Sequence, residues 1–323
     1  MKDIDVLCTG LALVNFPIHP ADEGIFARDL TNVGPITTLT GGDAANQAIV
    51  LSRLGARVAL ASRRGDDVFG RVLAETLENA GVDTSGVSVD PERATAVCAM
   101  MIKPDGQRHF CSHKGALAHF CFEDVDLKQL ARARVASIGG LCAMRSFDGD
   151  GAARFCQTAK ERDAVTVADT KGDRDGMRIE ALRDLLPYTD YFFPSYDEAS
   201  YISGETEPER IAAVFLRAGT KHVGIKLGGD GCFFTDGADT FSLPAFPKEV
   251  VDTTGAGDNF MAGFITGLLR GWDARDCCRF GLAAGAICVS RMGPVGAVKS
   301  FGQVMRYMSG CKKTIKLKPD TRI

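Results

Sequence analysis

The chain has 323 residues, enough for one large α/β domain with a small accessory element or for two ordinary domains. Hydrophobic residues make up 45% and charged residues 24%, ordinary for a folded globular protein. A formal net charge of −3 gives no electrostatic reason to expect a nucleic-acid partner, and no apolar run is long enough to span a bilayer.

Eleven cysteines are scattered without a CxxC pair, and only Cys277 and Cys278 are adjacent. Cys8, Cys98, Cys142, Cys232 and Cys288 sit in apolar contexts, where cysteine serves as a small core residue. That usage points to a reducing, cytoplasmic setting rather than a disulfide framework. The basic tail (Lys312, Lys313, Lys316, Lys318) reads as a solvated end.

In chain order, Ile4 to Leu13 reads as a buried strand. Residues 16–40 are rich in Pro, Gly and Thr and show little helical periodicity. Gly41-Gly42-Asp43-Ala44-Ala45-Asn46 leads into a helix from Gln47 to Leu54, stopped by Gly55. A strand (Arg57 to Ser62), the loop Arg64-Gly65-Asp66-Asp67 and a helix (Val68 to Ala80) follow. This strand–helix rhythm predicts a mostly parallel sheet covered on both faces. Thr95 to Ile102 and Arg108 to His113, joined at Pro104-Asp105-Gly106, break the rhythm as a β-hairpin. The alternation then resumes. Strands are expected at 135–138, 164–168, 190–193, 222–226 and 231–235, and helices at 150–162, 177–186, 197–203 and 207–218.

Val251-Asp252-Thr253-Thr254-Gly255-Ala256-Gly257-Asp258 opens an apolar helix, Phe260 to Leu269, closed near Gly271. Small residues at 255–257 let backbone N–H groups converge on one spot, and the helix start adds its positive end. Asp258 in the first turn is favoured there and should stay ionised. An anion hole beside a fixed carboxylate suits phosphoryl transfer to a hydroxyl. By itself the stretch reads equally as a capped helix after a tight turn. In the earlier stretch, two glycines before a helix admit close approach of a ligand, and Asp43 and Asn46 can bond hydroxyls. Alone that stretch is also a helix start with good capping residues.

The string DTTGAGD resembles the second signature of the ribokinase-like (PfkB) family of carbohydrate and nucleoside kinases. GGDAAN at 41–46, with GDDVFG at 65–70, resembles the first signature. The two stand in the family's order, roughly 210 residues apart. The resemblance covers Asp5 to about Val298 and implies a three-layer α/β/α sandwich with a mostly parallel central sheet and a small β-sheet lid. It implies one kinase domain over 1–323, with the lid discontinuous at about 14–40 and 95–118 and used for dimerisation.

The implied reaction is ATP- and magnesium-dependent phosphorylation of a sugar hydroxyl, expected to be a primary one. Asp258 is implied as catalytic base and Gly255, Ala256, Gly257 and Asp258 as the anion hole. Sugar contacts map to Asn15, Gly42, Asp43 and Asn46. Asn15 stands where the family usually has Asp, which keeps hydrogen bonding but drops the negative charge and tolerates an acidic sugar better. The family's Asn-x-x-Glu motif appears as Ser195-Tyr196-Asp197-Glu198, with Glu198 implied at magnesium-bound water. Lys226, Gly228 and Gly231 resemble the nucleotide-contacting loop, with Ser195, Gly255 and Gly257 beside it. Asp252, Thr254, Cys288, Arg291 and Gly293 match the segments that house a potassium-like ion in several members. Asp169-Thr170-Lys171 lacks the family's Asn and receives no role.

His109, Cys111 and His113 alternate and so share one strand face, with His119 and Cys121 close behind. They read as a face of the lid hairpin, with a zinc site as the alternative. Arg108, Lys114 and His109 make an acidic or phosphorylated sugar the specific expectation. A nucleoside kinase of the same fold and a non-catalytic sugar-binding protein remain as rivals, the second opposed by the intact Asp258 loop. The absence of GxxxxGK[ST] argues against P-loop chemistry.

Overall fold

The computed structural model describes residues 2–105, 107–172, 176 and 178–311. The tail lysines and Gly106 of the expected hairpin turn lie outside the described residues. In chain order the elements are β1 (Ile4–Gly10), β2 (Leu13–Ile18), β3 (Leu39–Gly41), α1 (Asp43–Arg53), β4 (Val58–Gly65), α2 (Val68–Asn79), β5 (Val82–Asp83) and β6 (Val87–Asp90). Then come β7 (Val97–Ile102), β8 (Arg108–His113), α3 (Leu127–Arg132), β9 (Ala133–Leu141), α4 (Asp150–Glu161), β10 (Val165–Thr170), β11 (Tyr191–Phe192), α5 (Tyr196–Ser203) and α6 (Pro208–Arg217). The chain closes with β12 (His222–Lys226), β13 (Cys232–Thr235), β14 (Thr240–Leu243), α7 (Ala256–Leu269), α8 (Ala274–Cys288) and α9 (Phe301–Cys311).

The main sheet runs β14-β13-β12-β11-β10-β9-β1-β4-β5, with β6 also on β4, and is parallel from β12 to β5. β13 and β14 add an antiparallel edge. Helices α1, α7 and α8 bury one face and α3, α4, α5 and α6 the other, giving two apolar layers about the sheet. This is a three-layer sandwich. Short side chains let the layers close: a Cβ on Gly139 of β9 would sit 2.6 Å from the Ala44 nitrogen of α1, and one on Gly263 of α7 2.8 Å from Gly281 Cα of α8. Burial of such faces, rather than helix propensity, holds these helices in place.

A second sheet, β3-β2-β7-β8, is separate from the first; β2 and β7 are parallel and the outer pairs antiparallel. Its register places Asn15, Cys98, Ile102 and Arg108 on one face and Phe16, Ala99, His109, Cys111 and His113 on the other.

Several sequence expectations need correction. The apolar run from Ile4 to Leu13 is two strands in two sheets, and Asn15 lies in the second of them, in the small sheet. The helix predicted from Gln47 starts at Asp43, which puts Asp43 and Asn46 in its first turn. The helix expected over 177–186 is two short 3-10 turns, Arg178–Leu182 and Leu186–Tyr188; Pro187 interrupts the pattern, and residue 177 lies outside the described residues. Helices α8 and α9 were not anticipated. No helix among the described residues is long and apolar enough to cross a membrane.

Candidate active site

The parallel strands end on one edge of the sheet, where open α/β folds hold ligands. Here the ends of β9, β10 and β12 meet the starts of α1, α5 and α7. Gly255, the residue before α7, has φ 76°, and a Cβ there would meet Pro294 at 2.5 Å. Only glycine fits that turn without strain. The turn bonds the Ala256 amide to the Thr253 carbonyl at 3.2 Å, and it seats Asp258 in the first helical turn, 7% exposed.

Asp258 Oδ2 accepts a 2.7 Å hydrogen bond from Asn46 Nδ2 of α1. Burial and the neighbouring Asp43 carboxylate push the Asp258 carboxyl well above the usual range, with Lys171 and the Asn46 bond pulling the other way. The helix dipole alone predicted an ionised acid; desolvation opposes it, as expected for a carboxylate removed from water. Asp43, also buried, faces Lys171 Nζ at 3.7 Å. The lysine is held above its ordinary range, first by Asp43 and further by Asp258 and Glu198, against the effect of burial.

Lys226, at the end of β12, donates a 2.6 Å hydrogen bond to Asp169 at the end of β10. Their side chains are 13% and 3% exposed. Burial works against the Lys226 charge, but Asp169, Glu198 and Asp258 hold its pKa above the ordinary value. Burial pushes Asp169 up to about 6, with Glu198 and Asp43 adding to the rise and Lys226 opposing it. Above that pH the pair is ionised. A Cβ on Gly257 would lie 3.3 Å from Lys226 Nζ, so the ammonium stands against the glycine loop. Glu198 Oε2 accepts from Thr170 Oγ1 at 2.9 Å and from the Ser195 amide at 3.2 Å, which fixes the carboxylate at the start of α5.

Beside this cluster is a cavity of about 380 Å³ lined by Lys226, Gly228, Gly231, Phe246, Gly257 and Phe260, among others. Its lining combines apolar side chains, Phe246, Phe260 and Leu282 among them, with the Lys226 ammonium and the glycine backbone at 228, 231 and 257. A mostly apolar lining with a few polar groups is the usual make-up of a small-molecule site. On the opposite side, Asn15 of β2 packs on Gly41: a Cβ there would be 2.4 Å from Asn15 Nδ2.

The Asp252 carboxylate is buried between strand-end loops. Oδ1 accepts from the Thr254 amide (2.9 Å), the Thr254 hydroxyl (2.7 Å) and Arg108 Nη1 (2.6 Å), and Oδ2 from the Gly293 amide (2.8 Å). The structure thus gathers Asp252, Thr254, Cys288 and Gly293. The Arg291 amide donates to the Cys288 carbonyl at 3.3 Å, while its exposed side chain lines a different cavity with Lys248, Lys299 and Tyr307.

The chain matches the model of the pfkB family of carbohydrate kinases over residues 3–300. The chain belongs to that family. It is 27% identical to the ribokinase of Haemophilus influenzae, over 83% of this chain and 87% of that one. It is also 27% identical to the 5-dehydro-2-deoxygluconokinase of Geobacillus thermodenitrificans, over 88% of each. Among solved structures, an E. coli protein designated ribokinase II superposes with a TM-score of 0.83 and 26% identity, over 95% of this chain and 99% of that one. The same protein in complex with ATP and Mg2+ matches equally well at 25% identity.

This pfkB family member is therefore a carbohydrate kinase, a phosphotransferase with an alcohol group as acceptor. The family frame also shows what sequence reasoning missed. Asp169, Thr170 and Lys171, left without a role, supply the partner of Lys226, a donor to Glu198 and a cation facing Asp43. Their position at the end of a parallel strand was the available signal. Arg108 and Lys114, read as contacts for an acidic sugar, bond the 252–254 loop and the Ala143 carbonyl, and His109 lies on the opposite face of the small sheet. Zinc finds no support, since no group of three His, Cys, Asp or Glu able to hold a metal occurs among the described residues.

Proposed function

We propose that the protein transfers the γ-phosphoryl group of ATP to a hydroxyl, expected to be primary, of a sugar or sugar acid. Asp258 takes the hydroxyl proton as the oxygen–phosphorus bond forms and ADP leaves with the bridging electrons. The amides of Gly255, Gly257 and Asp258 are assigned to the charge that develops on the moving group, while the Ala256 amide, expected beside them, donates to the Thr253 carbonyl at 3.2 Å. One observation carries this reading: a buried carboxylate stands in the first turn of α7, tied by Asn46 to the helix that follows Gly41-Gly42. Asn15, Gly42, Asp43 and Asn46 are assigned to the sugar. Ser195, Lys226, Gly228, Gly231, Gly255 and Gly257 are assigned to ATP.

The Glu198 carboxylate, fixed by Thr170 and the Ser195 amide, is assigned to a magnesium ion held through water, for which a hard oxygen donor is suited. Magnesium supplies charge neutralisation of the phosphates there. Arg108 stands against Asp252, where potassium was expected, so no step is assigned to a monovalent cation.

In this reading the whole chain, 1–323, acts as one kinase domain, and the small sheet, within 14–40 and 95–118, is its lid. The lid face carrying His109, Cys111 and His113 is exposed and suits pairing with a second copy; sedimentation of wild type and of a Cys111→Arg variant tests that. Eleven free cysteines support a cytoplasmic location.

The test is ADP release with Mg-ATP over ketoses, aldoses, sugar acids, sugar phosphates and nucleosides, with Asp258→Asn in parallel. Turnover of one sugar class that collapses in the variant is expected. Turnover that survives the change sinks Asp258 as base, and turnover of nucleosides alone replaces the sugar reading.

A further inference from the structure

We infer that the guanidinium of Arg108, carried on the lid, is the resident cation of the Asp252 carboxylate and takes the place of a monovalent metal ion. Arg108 is thereby a positioning residue for the loop that leads into the Gly255–Asp258 turn.

The donor set around Asp252 decides the point. A monovalent cation needs a cage of oxygen lone pairs, largely carbonyls. What faces Asp252 instead is protons: two backbone N–H groups, the Thr254 hydroxyl and the Arg108 guanidinium. Arg108 also donates from Nη2 to Thr253 Oγ1 at 2.7 Å and from Nη1 to Thr254 Oγ1. Two carbonyls of the adjoining segments are engaged as well. Pro294 O accepts from Asn259 Nδ2 at 2.7 Å, and the Cys288 thiol lies 3.4 Å from Thr254 O and from Pro294 O. An ion entering here would meet a fixed positive charge at contact distance from its one carboxylate.

The energetic logic is that of a buried pair. Asp252 and Arg108 side chains are 5% and 22% exposed. A carboxylate so enclosed needs a compensating charge, and a planar fork that also reaches two threonine hydroxyls fixes the loop in a way a spherical ion does not. Arg108 opens β8, on the same lid face as Asn15. Lifting the lid to admit a sugar would withdraw the guanidinium, so the phosphate-facing loop is fully neutralised only when the lid is down. Coupling of that kind acts on turnover more than on sugar affinity.

The test compares wild type, Arg108→Ala and Arg108→Lys in tetramethylammonium, sodium, potassium and guanidinium chlorides at equal ionic strength. The inference rests on the kinase reading for its rate assay, so ATP binding is followed by calorimetry in the same salts. Binding needs no sugar and separates failure of this inference from failure of that reading. Wild type is expected to vary less than about twofold in rate and ATP affinity across the salts. Arg108→Ala should lose roughly tenfold or more in kcat in tetramethylammonium, a magnitude typical of a lost loop-fixing contact, and recover several-fold with guanidinium or potassium. Arg108→Lys should keep an intermediate rate with little response to either. A wild-type rate or ATP affinity that rises about fivefold or more with potassium overturns the inference. So does an Arg108→Ala protein that melts like wild type yet responds to neither added cation.

Discussion

The Asn46 side-chain amide donates a 2.7 Å hydrogen bond to the Asp258 carboxylate across 212 positions of sequence. It joins the helix after Gly41-Gly42 to the helix after Gly255, and so places the groups assigned to the sugar beside those assigned to the moving phosphoryl group. The contact also shows why the site is strained electrostatically: an amide is a neutral partner, and the carboxylate it meets is buried next to Asp43.

Asp258→Asn should cost roughly 10²–10⁴-fold in kcat, the usual contribution of a positioned base. ATP affinity should be retained. The variant should also melt higher than wild type near neutral pH, because it removes a buried charge whose pKa is raised in the fold. Steady-state kinetics beside thermal melts check both. An unchanged kcat removes Asp258 from the proposed chemistry, and a lower melting temperature removes the stability argument.

Rate and stability should respond to pH in opposite senses. Asp169 is pushed up to about 6 in the fold from an ordinary 3.8. A carboxyl with a raised folded pKa contributes stability that is full below its unfolded value and is lost as pH climbs through the folded one. Melting temperature should therefore drift down on account of Asp169 from about 4 through about 6, and Asp258, raised in the same direction, adds to the fall. The rate should rise over and beyond that window as the coupled carboxylates ionise. Asp169→Asn should flatten the stability drift; a drift as steep as in wild type would exclude Asp169 as its source.

Lys226→Met leaves Asp169 buried without its cation and should destabilise the fold by roughly 3–5 kcal/mol, as for other broken buried pairs. Adding Asp169→Asn should restore much of that loss but not ATP affinity. Denaturant unfolding and nucleotide titration of the single and double variants separate the two effects. Recovery of ATP binding in the double variant would mean that Lys226 acts only through the fold.

Gly41→Ala would set a Cβ against the Asn15 amide. Displacing that side chain should raise the sugar KM by roughly tenfold or more, the cost of one hydrogen bond to a substrate hydroxyl. KM for ATP should be unaltered, because Gly41 lies outside the cavity assigned to the nucleotide. Equal rises in both constants would show a general disturbance of the site.

Much of this arrangement was legible along the chain. The strand–helix rhythm predicted the parallel sheet, the hairpin at 95–113 predicted β7 and β8, and the two glycine-led helix starts marked the two halves of the site. The misreadings share a cause. Ile4 to Leu13 is continuously apolar because β1 is buried in one sheet and β2 begins in another, and apolarity does not record which sheet a residue enters. Asp169 and Lys171 were passed over because their partners, Lys226 and Asp43, come from other elements. Arg108 was read as a ligand for an acidic sugar because only its charge was visible, and not the Asp252 carboxylate it meets.

By itself the sequence determined the local chemistry: tight glycine turns before α1 and α7, Asp258 one turn into its helix, and Glu198 three residues beyond Ser195. These are properties of short stretches, set by backbone sterics and the helix dipole. Only the tertiary structure decided that Asn46 meets Asp258, that Lys226 meets Asp169, that Arg108 meets Asp252, and that the Asp258 carboxyl is raised rather than lowered. Each depends on burial and on contacts between distant elements, and desolvation in the packed site outweighs what a residue's own helix does to its charge.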